Sequence, residues 1–165
     1  MNRIARFMTV SRERFEADWK QSFGDVQVPQ SPIQMPRRAT AGSAGYDFFA
    51  PADLRLAPGE TVSVPTGVRV RIDNGWVLML FPRSGLGFKY RLMLNNTVGI
   101  VDADYFNALN EGHIFIKLFN AGDRMLHVPA GEAFAQGVLL PFGITEDDTA
   151  DGARVGGFGS TGGVN

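Results

Sequence analysis

Asn96-Thr97-Val98-Gly99-Ile100-Val101-Asp102-Ala103-Asp104-Tyr105 sets an apolar, β-branched run ahead of two carboxylates and a tyrosine, with a glycine in its middle. Val98 and Ile100 alternate as Leu92 and Leu94 do upstream, which predicts a β-hairpin. Gly99 suits a point where a ligand meets backbone. Asp102, Asp104 and Tyr105 then fall where a strand meets solvent, a place for an acid, a base or a stacking ring. In isolation, Asp and Tyr at a strand end more often mean a turn and a core edge.

Outward from this stretch the pattern stays β. Short apolar runs at residues 61–70, 75–81, 113–119, 125–128 and 133–140 are separated by turn-formers such as Pro58-Gly59, Asp73-Asn74-Gly75, Ala121-Gly122-Asp123 and Pro129-Ala130-Gly131. Strands at that spacing predict a sandwich or jelly roll. The exception is a helix over residues 11–23. Ser11 is its N-cap, Glu13 favours the first turn, and Val10 with Phe15 forms a hydrophobic staple. Phe15, Trp19 and Phe23 recur every fourth residue, one apolar stripe to dock on the domain or on a neighbouring subunit. Gly24 stops the helix, and the three prolines between residues 26 and 36 make an extended linker.

Composition narrows the function. A length of 165 residues fits one domain with a proper core. The formal net charge of −1 gives no sign of a nucleic-acid or membrane partner. Without cysteine there is no disulfide, thiolate catalysis or Cys-ligated zinc, and two histidines are too few for a His-rich metal site. No signal-peptide run and no membrane-length apolar stretch is present, so a soluble, cytoplasmic protein is expected.

Four further segments accompany the opening one: Ser43-Ala44-Gly45-Tyr46-Asp47, Pro82-Arg83-Ser84-Gly85-Leu86-Gly87, Phe134-Ala135-Gln136, and Gly156-Gly157-Phe158-Gly159-Ser160-Thr161-Gly162. Together the five, in this order, resemble the motifs of the trimeric deoxyuridine triphosphatases (dUTPases), over roughly residues 36 to 162. The resemblance implies an all-β, jelly-roll-like β-sandwich assembled as a homotrimer. It divides the chain into an N-terminal helical arm and linker (1–35), the β domain (36–151) and a flexible glycine-rich flap (152–165). The implied reaction is Mg²⁺-dependent hydrolysis of dUTP to dUMP and pyrophosphate, by in-line attack of water on the α-phosphorus.

Residue by residue, Asp102 matches the family's water-activating aspartate. A free Asp has a pKa of ~3.9, so much of the work falls to phosphate electrostatics and alignment. Asp104 is read as structural. Tyr105 matches the tyrosine that packs against deoxyribose and leaves no room for a 2′-hydroxyl; its ordinary alternative is a core aromatic. Asn96 matches an asparagine on the uracil edge, with backbone groups of Gly99 and Ile100 completing that edge. Arg83, Ser84 and Gly85 offer a guanidinium fork, a hydroxyl and an N–H to phosphate oxygens, or else form a plain turn. Gln136 corresponds to a glutamine near the phosphates. Asp47 corresponds to the first-motif aspartate, near the metal-water shell or holding the site's geometry. Phe158 would stack on uracil, with Gly159, Ser160 and Thr161 donating to the β- and γ-phosphates. Mg²⁺ would be held by phosphate oxygens and water, with no direct protein ligand.

The chain departs from the family pattern in three places. Ala133 stands where an arginine is common, and Ala153 replaces the usual fifth-motif arginine, with Arg154 next to it. After Tyr105 the chain runs through a longer loop, residues 106–114. This loop and the N-terminal helix suggest a bacterial or phage sub-branch. Two other readings share the fold: a dCTP deaminase, and a non-catalytic nucleotide-sensing trimer.

Overall fold

The computed structural model describes residues 2–152. Twelve strands are present among them: β1 (Ala5–Thr9), β2 (Arg37–Arg38), β3 (Tyr46–Phe49), β4 (Leu54–Leu56), β5 (Thr61–Pro65), β6 (Val68–Ile72), β7 (Trp76–Pro82), β8 (Leu92–Leu94), β9 (Gly99–Val101), β10 (Phe115–Asn120), β11 (Leu126–Val128) and β12 (Ala133–Pro141). Two α-helices, α1 (Arg12–Phe23) and α2 (Ser84–Tyr90), and a 3₁₀ turn at Ala103–Asn107 complete the described elements. The strands pair antiparallel in four sheets, ordered β1-β6, β5-β10-β8, β11-β4 and β2-β3-β12-β7-β9. The fold is all-β, and no described helix is long and apolar enough to cross a membrane.

Alternation explains the layering. Strands β4, β8 and β11 each bury their first and third residues and expose the middle one, so one face of each meets the core. Phe48, Val64, Leu78, Leu80, Ile116, Leu118 and Phe134 fill that core at 0–1% exposure. Each such side chain contributes roughly 1.5–3 kcal/mol by leaving water. In the five-stranded sheet β12 lies between β3 and β7, and its seven-residue ladder with β7 runs from Ala135 opposite Pro82 to Pro141 opposite Trp76.

Helix α1 begins as its sequence predicts. The Ser11 side chain accepts from the Arg14 N–H, and Gly24 ends the helix by donating its N–H to the Lys20 carbonyl. Val10, Phe15 and Trp19 form a small core of their own against Phe23, Val28, Ile33 and Ala52. The indole of Trp19 donates to the Val26 carbonyl at 3.1 Å, which anchors the linker.

Three expectations change. The run at 61–70 is two strands, β5 and β6, in different sheets. Residues 92–101 are not a paired hairpin: β8 pairs with β10, whereas β9 pairs with β7. The turn between them therefore joins two sheets. The segment after Pro82 is not a plain turn but the start of α2, whose N–H groups at Leu86 and Gly87 donate to the Arg83 carbonyl. Strand β1, unsigned in the sequence, pairs along its whole length with β6, from Ala5 opposite Ile72 to Thr9 opposite Val68.

Candidate active site

Four of the five motif segments contribute to one sheet, and three of them meet around β12. Strand β12 places Gln136 opposite Asp47 of β3 on one side and opposite Phe81 of β7 on the other. Arg83 leaves the end of β7, donates its N–H to the Phe134 carbonyl at 3.3 Å, and pairs through Nη1 with Oδ1 of Asp47. The Gln136 amide donates to the Pro82 carbonyl at 3.3 Å. A Cβ at Gly45 would lie 2.6 Å from Oε1 of Gln136, so a side chain there would push that amide aside. Ser84 and Gly85 are exposed beside this group. The cluster presents a guanidinium held by a carboxylate, an amide and a hydroxyl, a donor set suited to anionic oxygens.

The turn from Asn95 to Val98 is built separately. The Asn95 N–H donates to the Lys117 carbonyl, Thr97 to Leu94 and Val98 to Asn96, at 2.8, 3.0 and 2.7 Å. Thr97 sits at φ +68°, a left-handed conformation that is costly for a β-branched residue. Beside the turn lies a cleft of about 250 Å³ lined by Ser63, Leu80, Leu94, Asn95, Asn96, Gly99, Phe115 and Lys117. That is below the ~300–1,000 Å³ of pockets for whole drug-sized ligands and suits one aromatic ring. Gly99 lines this cleft and meets a second constraint as well. It is buried opposite Leu80, and a Cβ would meet that side chain at 3.0–3.1 Å. The Ile100 side chain is 44% exposed.

Asp102 and Tyr105 occupy the far end of the same ladder. Asp102 is exposed at the N-cap of the 3₁₀ turn, and its carbonyl accepts the Tyr105 N–H. Asp104 is exposed in that turn. Tyr105 belongs to the core at 2% exposure; its hydroxyl donates to the His113 carbonyl and accepts from the Asn110 amide, both at 2.7 Å. Val101 faces Leu78, so Asp102 stands level with Val77, six residues from Arg83. At ~3.3 Å per residue, about 20 Å separates them along the strands. One chain thus brings Asp47, Arg83 and Gln136 together and Asn96 with Gly99, but keeps Asp102 apart from the guanidinium.

A buried network that motif reading missed adjoins Tyr105. The Gly67 N–H donates to Nε2 of His113 at 2.8 Å, so the proton sits on Nδ1, which donates to Oδ2 of Asp18 at 2.6 Å. Arg14 reaches the other oxygen of Asp18 at 3.1 Å. Burial pushes the His113 pKa down, more than Asp18 pulls it up. Its signal in the sequence was an aspartate three residues after Phe15, inside the apolar stripe. Lys117 and Ser63, partners in register across β10 and β5, were likewise missed as cleft residues.

A second cleft of 150 Å³, between Ser31–Gln34 and Ala130–Gly131, carries no motif residue and no ionisable side chain. Among the described residues, no group of three or more His, Asp or Glu is placed to hold a metal. Arg154, Phe158, Gly159, Ser160 and Thr161 lie outside the described residues.

Comparison with known proteins places this geometry. The dUTPase family model matches residues 31–162. The chain belongs to the dUTPase family. A deoxyuridine 5′-triphosphate nucleotidohydrolase of Lactococcus lactis is 41% identical over 133 residues, 79% of this dUTPase and 89% of the relative. The crystal structure of the dUTPase from Streptococcus mutans superposes with a TM-score of 0.64 at 35% identity, covering 85% of this chain and 98% of that one. A D95N mutant dUTPase from phage phi11 of S. aureus, described with a structural Mg(II) ion, shares the fold at 22% identity, with a TM-score of 0.64 and coverage of 91% and 98%.

Proposed function

We propose that this dUTPase hydrolyses dUTP to dUMP and pyrophosphate. The observation that carries the reading is a ring-sized cleft at the Asn95–Gly99 backbone, two strand residues before an exposed aspartate. Asn96 supplies an amide donor and acceptor to the uracil edge, with the backbone at Gly99 and Ile100 completing it. A cytosine there would leave polar partners unmatched, at ~1–3 kcal/mol each. Asp102 takes a proton from the attacking water, whose oxygen bonds to the α-phosphorus as the bond to the bridging oxygen of pyrophosphate breaks. Positioned proton transfer of this kind contributes ~10²–10⁴-fold. Tyr105 bears on the sugar through a ring that its two hydroxyl hydrogen bonds hold in place.

Arg83, Ser84, Gly85 and Gln136 bind phosphate oxygens, with Asp47 orienting the Arg83 fork. Arg154, Phe158, Gly159, Ser160 and Thr161 complete the reading, Phe158 over the base and the others on the β- and γ-phosphates. The donors facing the phosphates are N–H and O–H groups, and Asp47 is committed to Arg83. Mg²⁺ therefore fits as an ion held by phosphate oxygens and water, where it would neutralise triphosphate charge. The separation of about 20 Å between Asp102 and Arg83 supports a site shared between copies of this chain in a homotrimer.

The test is pyrophosphate release from dUTP, dTTP, dCTP and UTP by wild type and Asp102→Asn. Turnover confined to dUTP and nearly abolished in the variant is expected. Ammonia release from dCTP, or near-wild-type turnover by Asp102→Asn, would overturn the reading.

A further inference from the structure

The loop at residues 106–114 and helix α1, the two features outside the family pattern, are joined to each other. In an ordinary capping box the residue at N3 reaches back to the N-cap N–H. Here N3 is Arg14, and Glu111 does that work from the loop. Its Oε2 accepts the Ser11 N–H at 2.8 Å and its Oε1 the Ser11 hydroxyl at 2.6 Å. These bonds hold the Glu111 carboxyl below the usual carboxylate range. Two residues on, His113 is fully buried and donates to Asp18 of the same helix. The loop is thus fastened to α1 at the helix start and again near the end of its second turn.

The same loop fixes the turn that follows Asp102. The Tyr105 hydroxyl gives its proton to the carbonyl of His113, and Asn110 donates to its oxygen. Gly112 lies so close beneath that a Cβ would come within 2.7 Å of the Tyr105 carbonyl oxygen and 2.8 Å of the Phe106 Cα. A ring in this setting cannot tilt unless the His113 backbone moves, and the His113 side chain is tied to Asp18. The Asn96 turn makes none of these hydrogen bonds; its link to the network is Phe115, which lines the cleft and packs on the His113 ring at 4.8 Å. The turn itself is held by β7 and β10.

We propose that α1 is a clamp on the sugar-reading side of the active site, with Asp18, His113 and Glu111 as positioning residues acting through Tyr105. The inference rests on the reading of Tyr105 as the group that meets the deoxyribose. It separates two kinds of fidelity within one protein. Sugar discrimination depends on the helix through Tyr105 directly, and base discrimination only through the single Phe115 contact.

The experiment compares kcat/KM for dUTP, UTP and dCTP in wild type, Asp18→Ala, Asp18→Asn and Glu111→Gln, well below each melting temperature. Misplacement remote from the chemistry can cost up to ~10²-fold. With Asn110 still in place, Asp18→Ala is expected to lower the dUTP/UTP ratio about tenfold, or ~1.4 kcal/mol. The dUTP/dCTP ratio should fall by much less, about twofold at most (~0.4 kcal/mol). Asp18→Asn, which keeps an acceptor for Nδ1–H, should restore most of the loss. Glu111→Gln, a change at the partly exposed end, should lower the same ratio to a smaller extent and decides the matter if Asp18→Ala does not fold. An unchanged dUTP/UTP ratio, or a dUTP/dCTP ratio that falls as far, would overturn the clamp. A wild type inactive on dUTP would instead overturn the proposed function itself.

Discussion

Gly112→Ala tests whether the loop behind Tyr105 is as tightly built as its contacts indicate. Gly112 has φ +68°, where an L-residue costs roughly 1–2 kcal/mol. The added methyl would also meet three backbone atoms, the Tyr105 oxygen at 2.7 Å, Phe106 Cα at 2.8 Å and the Phe106 oxygen at 3.0 Å. Backbone cannot swing aside as a side-chain tip does, so overpacking adds about 1–3 kcal/mol. Gly75 isolates the first effect. It has φ +83°, but a Cβ there meets nothing within 4 Å, so Gly75→Ala bears the conformational cost alone. For a chain of this size each kcal/mol moves the melting temperature by about 2–4 °C. Calorimetry at one protein concentration should show a fall of roughly 10 °C for Gly112→Ala and roughly 3 °C for Gly75→Ala. Equal shifts would refute the close approach under Tyr105.

Asp47→Asn should leave the melting temperature nearly unchanged, because its pair with the 39%-exposed Arg83 is worth only ~0–1 kcal/mol. kcat/KM for dUTP should nevertheless drop about tenfold as the guanidinium loses its orientation; a wild-type value would show that Arg83 needs no such partner. Thr97→Gly removes a left-handed threonine, with a net gain of ~1 kcal/mol or less. A rise of roughly 2 °C in melting temperature with weaker rejection of dCTP is expected, and a lower melting temperature would show that Thr97 is not strained. His113 titrates below its ordinary 6.5 because burial disfavours the imidazolium, with Asp18, Arg14 and Glu111 as the charged groups around it. The unfolded chain takes up a proton below about 6.5 that the folded chain refuses, so stability is full above that pH and is lost as pH falls through the folded pKa. Melting temperature should drop more steeply between pH 7.5 and 5 in wild type than in His113→Gln, and parallel curves would exclude His113 as the cause.

Local features were legible where their causes are local. Ser11, the four-residue period and Gly24 predict α1 to within one residue of its observed start. The run at 61–70 looked like one strand because its alternation continues through Gly67, yet strand partners are chosen by the whole fold, and Thr66 and Gly67 turn the chain from one sheet to another. Alternation likewise predicted strands at β8 and β9 but could not assign their partners, which come from β10 and β7. Helix α2 buries no residue, so it leaves no apolar stripe to read. In the site, residue chemistry singled out Asp47, Arg83 and Gln136 one by one. Their convergence depends on β12 lying between β3 and β7, which no spacing encodes. Asp18 was hidden for a related reason: its acceptor role exists only because a histidine 95 positions away folds beneath it.

The turn at Asn95–Val98 hangs between two layers, one end fixed to the β5-β10-β8 sheet and the other to the β2-β3-β12-β7-β9 sheet. Its aperture is therefore set by how far apart the layers stand, which is the job of buried side chains such as Leu78 and Leu118. A methylene gained or lost deep in the interior, with no ligand in reach, would open or pinch the mouth of the cleft proposed for the nucleobase. Selectivity in such a protein can drift through its packing long before any residue at the rim is altered.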